Sequence, residues 1–188
     1  EAQAPRRRPD IVRIPPSHSR SQGRPRAVQT SPNVPVKWDV LALYTKRAAK
    51  DNGGARSTKS DWKVAVANWN TALENNQIGG APGNVKVRLV KTRKWKQKRR
   101  GSDSDHAQNM LYALRIDKKV SKWRKKFGAD FVAGAIEIND DVCGVAFLNG
   151  EGAGVLPGDG DWAMSVIPVN CLAGFGGLAV AHEGGHNA

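Results

Sequence analysis

Apolar and polar residues follow different rhythms along this 188-residue chain, and the rhythm changes from segment to segment. Residues 1–37 have none: Arg6, Arg7, Arg8, Pro15, Pro16, Pro32 and Pro35 set an Arg/Pro/Ser-rich texture. Such a stretch buries too little apolar surface to offset the entropy of ordering it, so it reads as a disordered basic leader or pro-segment remnant. From Trp38 the texture changes, and the apolar run Val40, Leu41, Ala42, Leu43, Tyr44 predicts a buried first strand. A short helical turn and loop is expected over 48–54. Trp62, Val66, Trp69 and Leu73 then recur at i, i+4, i+7 and i+11, one stripe of an amphipathic helix. Ser60 or Asp61 can cap that helix, and the glycine-rich segment 79–83 stops it.

Val85, Val87 and Leu89 alternate with Lys86 and Arg88, the period of a half-buried strand. Ser102, Asp103 or Ser104 opens a second helical region, where Leu111, Leu114, Ile116, Val120, Trp123 and Phe127 keep helical spacing. The last third predicts strands over 131–138, 143–148 and 162–169, a Gly-rich loop over 150–161, and a final helix from about 176 to 188. Strand, helix, strand, helix, three strands, helix is the order of an α/β domain over 38–188. Its sheet is expected to be mixed and mostly parallel, with an antiparallel edge strand, and packed by helices.

Charge changes the picture. The net charge of +13 suggests a polyanion binder. All 30 Lys and Arg lie within residues 1–126, however, while residues 127–188 hold eight acids and neither Lys nor Arg. A nucleic-acid binder has no use for that acidic third. No apolar run approaches the ~20 residues of a membrane helix, so a membrane span is not expected. Two cysteines, Cys143 and Cys171, lie in the acidic third and by themselves say little about compartment.

The acidic third also holds the candidate chemistry. His182, Glu183 and His186 form an H-E-x-x-H motif. On a helix, i and i+4 lie one turn apart on one face, about 6 Å along the axis. Two imidazoles so placed converge on one zinc ion at ~2.0–2.1 Å. Glu183, rotated by ~100°, misses the metal but reaches a water bound to it. Zinc lowers the pKa of that water toward ~7, and the carboxylate acts as general base in attack on a peptide carbonyl. A catalytic zinc usually has three protein ligands. His18 lies in the leader and His106 opens a charged helical segment, so the third ligand is expected beyond Ala188. Gly184 and Gly185 disfavour a helix by ~1 kcal/mol each, which close packing against the sheet or the metal would explain.

On these residues the chain resembles the metzincin metallopeptidases, specifically the reprolysin (adamalysin)-like group. His182, Glu183 and His186 match the start of its extended histidine signature as first ligand, general base and second ligand, and Asn187 is common at the next position. Weaker matches follow in the right order: Val40 to Thr45 for the opening strand, Gly128, Ala129 and Asp130 before a strand, Cys143-Gly144-Val145-Ala146, and Met164 to Cys171 before the final helix. The resemblance implies a zincin-like N-terminal subdomain and a secreted zinc endopeptidase acting on protein or peptide substrates. It further implies that residues 143–148 form an edge strand with which an extended substrate pairs, through Gly144, Val145 and Ala146. A disulfide between Cys143 and Cys171 is expected there, with two buried free thiols as the alternative. The third histidine and the Met-containing turn of the group are not within the 188 residues.

Two rival readings stand beside this one. The basic run over 93–100, with Trp95 among the cations, suggests nucleic-acid or anionic-surface binding, since Lys and Arg neutralise phosphates while an aromatic stacks on a base. The other is a catalytically incomplete fragment that keeps the fold without closing the metal site.

Overall fold

The computed structural model describes residues 11–13, 36–77, 84–98, 103–138, 142–148, 159–173 and 177–187. In chain order the elements are β1 (Ile11–Arg13), β2 (Val36–Tyr44), α1 (Lys46–Asp51), α2 (Ala55–Asn75), β3 (Val85–Lys94), α3 (Asp103–Ile116), α4 (Lys118–Phe127) and β4 (Phe131–Ile136). They continue with β5 (Val145–Leu148), a 3-10 turn (Asp159–Trp162), β6 (Met164–Pro168), α5 (Val169–Leu172) and α6 (Ala179–Gly185). The glycine-rich stop at 79–83, most of the loop over 150–161 and His18 lie outside the described residues.

Five strands in the order β5-β6-β4-β2-β3 make the body of the sheet. β2 pairs parallel with β3 and β4, and β4 pairs parallel with β6. β5 runs antiparallel to β6, so the mixed α/β sheet with an antiparallel strand at one side is as the sequence predicts. On the outer side of β5 lies β1, parallel to it, with Val12 opposite Phe147. Within the leader expected to lack structure, three residues therefore extend the sheet to six strands, and β2 begins at Val36.

Helices cover both faces, which is why β4 and β6 are buried along their whole length. Strand side chains alternate between faces. Val40, Ala42 and Tyr44 of β2 enter one core layer with Trp62, Trp69 and Leu73 of α2, Leu172 of α5 and Val180 of α6. Leu41 and Leu43 enter the other with Met110, Leu111 and Leu114 of α3 and Val120 of α4. Each fully buried Leu contributes roughly 1.5–3 kcal/mol to such a layer.

Two helix boundaries differ from the sequence expectation. α2 starts directly after the Gly53–Gly54 pair, so Ser60 and Asp61 lie inside it rather than at its cap. Thr58 Oγ1 donates to the Gly54 carbonyl (3.0 Å), and Asn52 Nδ2 donates to the Asp61 carboxylate. The second helical region is two helices, because Asp117 caps a new start by accepting from the N–H groups of Lys119 (2.7 Å) and Val120 (3.3 Å). Ile116, expected on the apolar stripe, is consequently 71% exposed.

Candidate metal centre

The site sits where α6 crosses β5 and β6. α6 is only seven residues long, so packing rather than propensity holds it. Val180 anchors it in the core, and Gly184 lies flush on α2: a Cβ there would overlap the ring of Trp69. Trp69 is itself fixed edge-on to Phe131, ring centroids 5.7 Å apart. The close packing expected for the first glycine of the motif is thus against a helix. Gly185 faces open space, and nothing in the structure explains it.

His182 lies within α6 and His186 caps its end, one turn later on the same face. Their Nε2 atoms approach to 3.2 Å, with the rings 4.7 Å apart and nearly perpendicular. Two nitrogens bound tetrahedrally to one zinc at ~2.0–2.1 Å would stand ~3.3–3.4 Å apart. The pair therefore fits a shared zinc almost without movement, and imidazole suits that metal. The same spacing is also hydrogen-bond distance between the two rings.

Glu183, between them in sequence, is 2% exposed. Its side chain packs against the Cα of Gly144, where a Cβ would overlap Oε1, Cγ and Cδ. Gly144 is placed by the Cys143–Cys171 disulfide, which ties the start of β5 to α5 with a Cα–Cα distance of 5.3 Å. Closing that 28-residue separation removes about 3–4 kcal/mol of unfolded-chain entropy in the loop-closure view. Asn187, buried just past His186, donates from Nδ2 to the Phe147 carbonyl of β5. Glu183 and Asn187 are thereby held to the segment 144–147.

The remaining candidates fall elsewhere. Val145 and Ala146 are buried, pairing with Val166 and Ser165 of β6, and Ala146 also faces Ile11 of β1. The edge on which an extended substrate was expected is covered along 146–148 by the chain's own β1. His106 is buried on α3, with Nε2 3.3 Å from Glu137 Oε1, and Thr45 Oγ1 is 3.5 Å from Glu137 Oε2. Burial alone would push the Glu137 carboxyl up, but the hydrogen bond and charge of His106, a backbone N–H and the charge of Arg47 together hold it below the usual range. Sequence reading missed this trio, whose one visible signal is a lone acid ending an apolar run. Among the described residues no cluster of three or more His, Cys, Asp or Glu is arranged to hold a metal.

The nucleic-acid reading of the basic run meets a correction. β3 continues through Lys94, and Trp95 is 1% exposed with its indole N–H donated to Asp117 Oδ2 (3.0 Å). A ring in the core cannot stack on a base. Trp123 of α4 carries the Arg93 guanidinium 4.5 Å from its ring centroid, and Phe127 lies 5.9 Å from the same group.

No model of a known protein family matches the chain, and no curated protein sequence matches it. Solved structures do. One described as the structure of a chaperone-substrate complex aligns with a TM-score of 0.62 at 21% identity, covering 81% of this chain and 26% of that one. Another, metalloproteinase-II from Bacteroides fragilis, aligns with a TM-score of 0.50 at 17% identity, covering 81% of this chain and 42% of that one. At these identities the likeness is one of fold, and this chain spans well under half the length of either neighbour.

Proposed function

We propose that residues 38–188 belong to a zinc-dependent endopeptidase of the metzincin, reprolysin-like type. The observation that carries this reading is the 3.2 Å approach of His182 Nε2 to His186 Nε2 beside a buried Glu183. The fold shared with a metalloproteinase supports it more weakly. When bound, zinc supplies a Lewis acid that polarises the peptide carbonyl and acidifies water. His182 and His186 would hold it through their Nε2 atoms, and the reading calls for a third protein ligand besides these two. Gly144 fixes the Glu183 carboxylate, which takes the proton of the attacking water and passes it to the departing amine. The disulfide suits a secreted protein in an oxidising compartment. Among the described residues no helix is long and apolar enough to cross a membrane.

The test uses the full gene product, with zinc measured by mass spectrometry and hydrolysis followed on a fluorogenic peptide. Glu183→Ala is expected to keep its zinc and lose ~10²–10⁴-fold in turnover. His186→Ala is expected to lose the metal. Unchanged turnover in Glu183→Ala removes the assigned base, and a parent protein that binds no zinc removes the reading altogether.

A further inference from the structure

α4 carries charge of one sign, and most of it on one face. Its ten residues hold five lysines, one arginine and no acid. At about 100° per residue, Lys118, Lys119, Lys122, Lys125 and Lys126 fall within an arc of about 120°. All five are exposed, and the arc lies opposite the buried Val120. Trp123 and Phe127 pack against the core layer beneath, where the edge strand β3 meets the helix. Lys91 stands 5.9 Å from the Phe127 ring centroid and Arg93 4.5 Å from that of Trp123. This arrangement is unfavourable for the chain alone. Like charges four apart on a helix repel, as Lys118 and Lys122 do, and Lys122 and Lys126. Lys118 and Lys119 also occupy the first turn, where the helix dipole disfavours cations and no acid offsets them. A bound polyanion relieves both repulsions.

We propose that the lysine face of α4, flanked by Lys91 and Arg93, is a docking surface for a sulfated polysaccharide chain. A helix about 15 Å long presents its cations in a row, which suits a linear chain of anionic groups. Trp123 and Phe127 are engaged by the core and by Arg93, Lys91 and Lys126, so neither ring is offered to a base. None of the exposed large apolar side chains lies on β3 or α4, so the face has no anchor for a bilayer. The Cys143–Cys171 disulfide suits an oxidising compartment, the setting of sulfated polysaccharides rather than of nucleic acid. The docking does not depend on the endopeptidase reading. Val120 of α4 and Val180 of α6 enter different core layers, so the bound chain lies away from the histidine pair.

The test uses the full chain and a fluorescein-labelled heparin dodecasaccharide, read by anisotropy at about 0.15 M salt. One variant combines Lys118→Gln, Lys122→Gln and Lys125→Gln. Its control removes the same charge from the leader, with Arg6→Gln, Arg7→Gln and Arg8→Gln. The α4 variant should bind ~10–100-fold more weakly and show a flatter slope of log affinity against log salt, while the leader variant loses less than ~3-fold. Arg at the same three α4 positions should keep the parent's affinity, and unsulfated heparosan of equal length should not bind. Equal losses in the two glutamine variants, or none in the α4 variant, overturn the surface, because the affinity then belongs to charge at large. Two further probes are a short DNA duplex and vesicles of phosphatidylserine and phosphatidylcholine. Either one overturns the polysaccharide as partner if it binds the parent more tightly than heparin does and loses that affinity in the α4 variant. Gln is nearly as good a helix former as Lys, so the thermal midpoint should hold or rise. If it falls, Lys119→Gln combined with Lys126→Gln decides on the same readouts.

Discussion

Gly184 and Gly185 are adjacent, identical and inside one motif, yet their surroundings call for opposite responses to a side chain. A methyl at 184 would enter the ring of Trp69, which cannot retreat because Phe131 and Trp38 pack against it at 5.7 and 6.3 Å. Helix propensity favours Ala over Gly by up to ~1 kcal/mol, but overpacking a rigid contact costs ~1–3 kcal/mol, so the overlap wins. Gly184→Ala should therefore lower the thermal midpoint. Gly185→Ala, with nothing within 4 Å, should leave it unchanged or raise it. Calorimetry of the two variants side by side decides, and equal effects would show that Trp69 is not the constraint. The motif's spacing is legible in sequence because it is local. Its tolerance for glycine is not, since Trp69 lies more than a hundred residues away.

At the scale of elements, one side chain sets a helix boundary and closes a core at once. Asp117 caps α4 through two backbone N–H groups while accepting the buried Trp95 indole at 3.0 Å and Gln97 at 3.4 Å. Burial pushes its carboxyl up, and these donors outweigh burial, leaving it below the ordinary range. Asp117→Ala loses a cap worth ~0.5–2 kcal/mol and strands an indole N–H at ~1–3 kcal/mol, so a loss of about 2–4 kcal/mol is expected in urea titration. Asp117→Asn keeps one acceptor oxygen, enough for the cap through the Lys119 and Val120 N–H groups, but turns its NH2 toward the Trp95 and Gln97 donors, so it should be destabilised by less than Asp117→Ala. If the two variants unfold alike, the cap is not what matters. The same residue shows how far elements could be read beforehand. The α3–α4 stripe was visible as one helical period, but the break needs Trp95 to arrive from β3. Likewise Ser60 and Asp61 are good caps in isolation, and the glycine pair before Ala55 pre-empts them. β2 was legible because both of its faces are apolar. β1 was not, because three residues in a polar leader carry no period.

At the scale of the molecule, carboxylates rather than the excess of cations govern the response to pH. Three acids on separate elements are held below their ordinary range: Asp39 by the hydrogen bonds of Arg88 at 2.7 and 2.6 Å, Asp117 by its donors, and Glu137 by His106, a backbone N–H and Arg47. A carboxyl with a depressed folded-state pKa lends stability that is fully present above its unfolded value, about 4, and is lost as pH falls through the folded value. The unfolding midpoint should thus hold steady from pH 7 to about 5 and decline steeply below 4. The exposed Asp39–Arg88 pair contributes little of this, since solvent screens it. Glu137, 3% exposed with Thr45 and His106 as its side-chain neighbours, should dominate. Glu137→Gln conserves shape while abolishing titration. It should be less stable than the parent at pH 7 and lose less between pH 5 and 3, so that the two curves converge in acid. Urea midpoints measured across that range test this. Parallel curves would show that the acid transition belongs to other carboxyls.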